Sequence, residues 1–357
     1  MLRYNYRIFK IITQGEIYMS NFSTAFVGSP GIYIGIYVMA FLFGISIGSF
    51  LNVCIYRLPA GESLTKRNSH CMTCQAPIKW YDLIPVFSWL FLRGKCRACG
   101  SKISGRYILV ETLTGIMFVL TFMQFDVIKD GLLYPALMCL FISGLIVIGF
   151  EDYDTQQMTI GVLIFLAAVA IVVRLLEMFA PIGVFRGCDI TLTEGLIGMV
   201  CVSVPFLIFG FVLTPLIYKL FISEDHRSAR KIRSRLKKMN DNSAEAKKLR
   251  KTLDKHLEAI KETGPVYGFG MGDIILMAAG GLMLGWKATV VAAFIAIILG
   301  AVCAVILRVR AVHRDEEEVK AFAFGPFLTA GLALSSFFGT ALMDMYINFL
   351  TVPPLQY

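Results

Sequence analysis

Four cysteines are spaced for metal chemistry: Cys71-Met-Thr-Cys74, then twenty-one residues, then Cys96-Arg-Ala-Cys99. Each CxxC presents two thiolates from one tight turn, and two such turns complete a tetrahedral all-sulfur zinc site. A closed site of this kind leaves no ligand position for water, so its zinc is structural rather than catalytic. A redox pair is the competing use of the same spacing. Cys54, Cys139, Cys188, Cys201 and Cys303 are scattered, mostly within apolar runs, and read as inert small hydrophobes.

Carboxylates supply the second kind of chemistry. Asp152 follows the apolar run ending Ile148-Gly149-Phe150, with Glu151 and Asp154 beside it. Asp273 closes Gly268-Phe-Gly270-Met-Gly272-Asp273 and opens another apolar run. Ionisable groups at membrane depth are costly and mark functional sites. Two carboxylates converging in a partly desolvated site cannot both ionise easily, so they share a proton. One then activates water while the other protonates the carbonyl or the leaving amine. The glycines allow backbone to approach an extended substrate closely. Three other readings stand beside this one. Asp273 is also well placed to cap a helix N-terminus, a role for which Asp152, at a helix C-terminal end, is wrongly placed. A proton- or ion-coupled transporter would use the same carboxylates, and an assembly scaffold would need neither.

The elements that position these groups are apolar. Of 357 residues 57% are hydrophobic and 17% charged, with a mean hydropathy of +0.69. Soluble domains run at about 45–50% apolar and about 25% charged. That excludes a disordered chain, an ordinary cytosolic enzyme and a small disulfide scaffold. About eight stretches are long enough to cross a bilayer: 31–55, 107–125, 132–150, 159–180, 193–221, 272–286, 288–308 and 325–350. The sixth is short and rich in glycine. The expected fold is an all-α polytopic membrane protein with a small cytoplasmic zinc-ribbon-like module. Residues 1–30 are an N-terminal tail, with Met19 an alternative start, 31–55 the first span, 56–106 the cysteine module and 107–350 the main membrane domain. Within the last, 222–268 reads as two charged helices, Ser223–Met239 and Ser243–Thr263, about a turn at Asn240-Asp241-Asn242. Leu249, Leu253, Leu257 and Ile260 make a thin apolar stripe on the second, as in a solvated hairpin rather than a nucleic-acid surface.

Charge sets the orientation. The net charge is +9, and 26 of the 34 Lys and Arg fall in 56–106, 222–268 and 308–323, against Lys129, Arg186 and Lys287 in the opposite turns. The positive-inside rule makes those three segments cytoplasmic. Asp152 and Asp273 then fall on that same face.

Four ordered blocks carry a resemblance to a known family. The first is Gly44-Ile-Ser-Ile-Gly48-Ser49-Phe50-Leu51-Asn52-Val53, continuing to Tyr56-Arg57-Leu58-Pro59. The second is the cysteine module with Trp80-Tyr81-Asp82-Leu83-Ile84-Pro85-Val86-Phe87-Ser88-Trp89 between its pairs, followed by Ile103-Ser104-Gly105-Arg106-Tyr107 and Val110-Glu111. The third is Gly270-Met-Gly272-Asp273, and the fourth Phe324-Gly325-Pro326-Phe327-Leu328. From about Gly31 to Leu350 the chain resembles the bacterial type IV prepilin leader peptidases, GxGD-type membrane aspartic peptidases.

That resemblance implies removal of the short basic leader from prepilins or pseudopilins at the cytoplasmic face of the inner membrane. It also implies methylation of the new N-terminal residue, usually Phe, with S-adenosylmethionine as methyl donor. The family's catalytic aspartates map onto Asp152 and Asp273, and members with the cysteine module are the ones credited with methylation. One block departs from the pattern: Met158-Thr159-Ile160 stands where the family runs to Ile-Pro-Asp. Asp152 keeps the family's spacing to that stretch better than Asp154, which is the alternative partner. No GxGxxG follows a strand, so a methyl-donor site must lie between the module and the membrane. Arg57, Trp80, Asp82 and Glu111 are candidate lining residues. The basic insertion is expected to fold away from the site or bind acidic lipid headgroups.

Overall fold

Apolar runs of about twenty residues cross lipid as helices, because the hydrocarbon offers backbone amides no other partner. The computed structural model describes residues 30–65, 69–125, 127–179, 190–222, 224–236, 244–263, 269–313 and 323–351. The longer helices are α1 (Pro30–Arg57), α2 (Arg106–Gln124), α3 (Leu133–Thr155), α4 (Ile160–Phe179), α5 (Leu192–Leu207), α6 (Glu224–Leu236), α7 (Ala244–Thr263), α8 (Met271–His313) and α9 (Gly325–Thr351). The chain is multi-pass: among the described residues, seven helices are long and apolar enough to cross a membrane, the fifth continuing to Leu220. The tail to residue 29, Cys188 and the turn at 240–242 lie outside the described residues.

All eight expected apolar stretches are present, but the sixth and seventh belong to one element. Straight, the 40-residue apolar part of α8 would reach about 60 Å, twice the thickness of the hydrocarbon core. Gly285, at φ 73° and ψ 171°, breaks it into two limbs. The break strips the preceding carbonyls of helical partners. Arg174 of α4, buried in the span, donates to the Met283 carbonyl at 3.4 Å and to the Ile190 carbonyl.

The chain divides into two units, one of Ser203–Ile274 and one of the remainder. In the larger unit α1 lies close along α2. A Cβ on Gly44 would come within 2.8 Å of the Gly115 Cα, and one on Gly48 within 2.7 Å of the Glu111 Cα. A Gly-x-x-x-Gly face of this kind lets two membrane helices touch backbone to backbone. Asn52 Nδ2 then donates to the Tyr107 carbonyl at 3.1 Å, fixing the C-terminal end of α1 to the N-terminal end of α2. Similarly, Gly149 of α3 makes room for Thr329 of α9.

In the smaller unit the charged helices α6 and α7 pack against each other. Ala229 of α6 is buried, and Leu249, Leu253 and Leu257 of α7 are half-buried along one stripe.

Candidate functional site

The cysteine module consists of two copies of one knuckle, offset by twenty-five residues. In the first, the Cys71 amide donates to the Ala76 carbonyl, Gln75 to Cys71, and Ile78 to Ser69. In the second, Cys96 donates to Ser101, Gly100 to Cys96, and Ile103 to Gly94. Each knuckle closes with one antiparallel bridge, His70 to Pro77 and Lys95 to Lys102, and turns on a positive φ, at Gln75 and at Gly100. The four Sγ atoms lie within 4.8 Å of one another, with Cys71 and Cys99 3.9 Å apart. Tetrahedral zinc with bonds of about 2.3 Å sets its sulfurs about 3.8 Å apart, so the cluster fits a metal ion. The cysteines are not equivalent. The amides of Cys74 and Thr73 hold the Cys71 thiol down to about 5, and the Ser101 hydroxyl lowers Cys99. Cys74 is pushed up to about 11: the Ala76 amide pulls it down, but its contacts with Cys99, Cys71 and Cys96 and the crowding of water from its thiol outweigh that.

The segment between the knuckles is pinned at two points. Arg97 of the second knuckle grips Asp82 with Nε and Nη2, at 2.9 and 2.6 Å, and lies 5.4 Å from the Tyr81 ring centroid. Arg97 holds the Asp82 carboxyl below the usual aspartate range. The second pin is Glu111 of α2. Its Oε2 accepts the Val86 amide at 2.7 Å, while Phe87 N–H reaches back to the Pro85 carbonyl at 2.6 Å. Val86 thus centres a tight three-residue turn at φ 63° and ψ −54°, a region that a β-branched residue occupies only under strain. Arg57, at the end of α1, donates to the Ser63 and Leu64 carbonyls. Three of the four candidate lining residues are therefore engaged in holding the module. The side chain of Trp80 lies outside the described part.

Asp152 sits in the last turn of α3, buried to 7% exposure. Its Oδ2 accepts the Gly325 amide at 2.8 Å, at the start of α9. The first amides of a helix have no partner within it, and the Asp152 side chain supplies one to Gly325. Glu151 is fully buried beside it, with Oε2 accepting the Thr159 amide at 3.2 Å. Asp154 is engaged differently, in a 2.5 Å ion pair with Arg106.

Asp273 is in the first turn of α8 and is 8% exposed. Its Oδ2 accepts the Gly270 amide at 3.0 Å, so the capping contact foreseen as the plainer reading is present. The loop before it is tethered by Phe269, whose ring stacks on Phe206 with centroids 4.5 Å apart. Gly210 leaves room for that approach, since a Cβ there would meet the Phe269 amide nitrogen at 3.1 Å. Asp152 belongs to the larger unit and Asp273 to the smaller. Residue types and depth single out both aspartates in the sequence, whereas the Asp152–Gly325 contact and the Val86 turn carry no such signal. Arg174 does carry one, as an ionisable group inside an apolar run.

The comparisons with known proteins converge. A family model, the bacterial peptidase A24 N-terminal domain, matches residues 42–125, covering most of α1, the cysteine module and α2. A prepilin leader peptidase/N-methyltransferase of Myxococcus xanthus (strain DK1622) is 43% identical over 127 residues, spanning 35% of this chain and only 36% of that protein. One of Neisseria gonorrhoeae is 29% identical over 321 residues, 82% of this chain and 86% of the relative. One of Bacillus subtilis (strain 168) is 25% identical over 310 residues, 86% and 96% of the two chains. No solved structure matches.

Proposed function

The chain belongs to the prepilin leader peptidase/N-methyltransferase family, and on that premise we propose that it cleaves the leader peptide from type IV prepilins or pseudopilins and methylates the new N-terminus. The observation that carries this reading is similarity running nearly end to end to relatives bearing that name. Asp152 and Asp273 are the proposed catalytic pair. One carboxylate takes a proton from water as its oxygen attacks the scissile carbonyl. The other, as the acid, protonates the carbonyl oxygen; the first then passes the proton it took from water to the leaving amine, and the second recovers its own as the tetrahedral diol collapses. The burial of both side chains favours a shared proton. The Arg106 ion pair speaks against Asp154 in that role, since its charge is already engaged.

Cys71, Cys74, Cys96 and Cys99 are the proposed ligands of a structural zinc ion, which would staple a segment too small to hold itself by apolar burial. In the second activity S-adenosylmethionine would supply the methyl group: its S–CH3 bond would break as the amine of the new N-terminus takes the methyl and loses a proton, with S-adenosylhomocysteine leaving. The enzyme resides in the bacterial inner membrane. Its basic segments 56–106, 222–268 and 308–323 and both aspartates face the cytoplasm, by the positive-inside rule. Residues 107–350 form the peptidase membrane domain. The hairpin at 222–268 meets acidic lipid headgroups and binds no nucleic acid.

The test is product analysis. Purified protein in lipid is incubated with a prepilin and S-adenosylmethionine, and the substrate's mass and N-terminal sequence are read. Loss of the leader with one methyl group on the new N-terminus is expected. An intact substrate would overturn the peptidase reading, and a cleaved, unmethylated product the methyltransferase reading.

A further inference from the structure

The helix that carries Glu111 is only just long enough to cross a bilayer. At 19 residues α2 spans about 28 Å, against a hydrocarbon core of about 30 Å, so Arg106 must sit at the boundary. Glu111, five residues on, is then about 7 Å deeper along the helix axis. Its carboxylate does not turn towards water. It accepts the Val86 amide at 2.7 Å and holds the strained turn against the membrane helix.

The residues flanking that turn are apolar and outward-facing: Ile84 is 45% exposed, Phe87 43%, Leu90 54% and Phe91 85%. The last three share the short helix Phe87–Phe91, and the exposed cations Arg93 and Lys95 follow it. Large apolar side chains rimmed by cations are the composition of segments that lie about 5–10 Å into the boundary between headgroups and acyl chains. The depth set by Glu111 falls in the same range.

We propose that residues 84–91 form an interfacial anchor, with Ile84, Phe87, Leu90 and Phe91 inserted among the acyl chains of the bilayer the protein spans and Arg93 and Lys95 on anionic headgroups. The module is thereby seated on the membrane at three points: the ends of α1 and α2, and this loop. Glu111 acts as the positioning residue that sets the depth of the third. A soluble partner docking on Phe91 would not account for the pin, since a loop meant to face water gains nothing from being tied to a buried carboxylate.

The test places a photoreactive benzoylphenylalanine at Phe91 in the full-length protein, reconstituted in vesicles of phosphatidylglycerol and phosphatidylethanolamine with prepilin present. Irradiation is expected to give lipid adducts, and Glu111→Gln to lower their yield several-fold while the other helices stay folded. Adducts to prepilin or to a second copy of the chain would overturn the proposal, as would a label that crosslinks to nothing. A second measurement covers a loss of reactivity caused by the label itself. With Phe91→Trp, lipids brominated near the headgroup end of the acyl chain should quench the added fluorescence more than phosphate-bound aqueous quenchers do. The reverse order would contradict the insertion.

Discussion

The amide of Gly325 donates to the Oδ2 of Asp152 at 2.8 Å, joining positions 173 residues apart in sequence. The contact sets the last turn of α3 against the first of α9. Gly149 and Thr329 bring those two helices close enough for it to form. Any side chain there would have to displace its neighbours: a Cβ on Gly325 would stand 2.5 Å from that same Oδ2 and 2.5 Å from the Met158 Cε.

Gly325→Ala is accordingly expected to displace the Asp152 carboxylate rather than to unfold α9. Misplacing a catalytic group by about 1 Å costs on the order of a hundredfold in rate. Cleavage kinetics in the reconstituted enzyme should show kcat falling by about that factor with KM little changed. A wild-type kcat would mean that this contact does not hold the carboxylate in a working position.

The glycines of α1 divide into two classes. Gly44 and Gly48 face backbone of α2 at under 3 Å from their missing Cβ atoms, whereas Gly31 and Gly35 have nothing within 4 Å. Overpacking of a close contact costs about 1–3 kcal/mol. Gly48→Leu should lower the thermal midpoint in detergent and Gly35→Leu should not. Equal effects would place the helix contact elsewhere.

The cysteine cluster predicts both a metal and an order of reactivity. Zinc content should fall from one per chain to near zero in each of the four Cys→Ser variants. After chelation, Cys71, held down to about 5, is a thiolate at neutral pH, while Cys74, pushed up to about 11, remains a thiol. Brief alkylation at pH 7 followed by peptide mass analysis should therefore mark Cys71 ahead of Cys74. Preferential labelling of Cys74 would contradict the assigned hydrogen bonds.

Acid should loosen the module in a definite window. Arg97 lowers the Asp82 carboxyl below its ordinary value of about 3.8, so the pair's stabilisation is present above that pH and disappears as the pH falls through the lowered value. Arg97 is 54% exposed, which makes the effect small. Limited proteolysis of wild type and Asp82→Asn should differ at pH 7 and converge at strongly acid pH. A difference that grew on acidification would reverse the sign.

Depth was legible in the sequence because hydropathy reports it directly. The helices fall where the apolar stretches do, and the glycine-rich shortness of 272–286 anticipates the break at Gly285. The paired CxxC spacing likewise gave the cluster, since each knuckle is built from contacts within a few residues. Contacts between distant segments were not legible. Hydropathy does not say which way a side chain points around its helix, so Asp152 could not be matched to Gly325, nor Glu111 to Val86. A left-handed valine has no signature at all, because its strain is compensated by a carboxylate 25 positions away.

The most direct measurement is cleavage of a prepilin by the reconstituted enzyme carrying Asp152→Asn, Asp273→Asn or Asp154→Asn, each compared with wild type. The account predicts background rates for the first two and a substantial rate for Asp154→Asn. Cleavage at the wild-type rate by either Asp152→Asn or Asp273→Asn would contradict it.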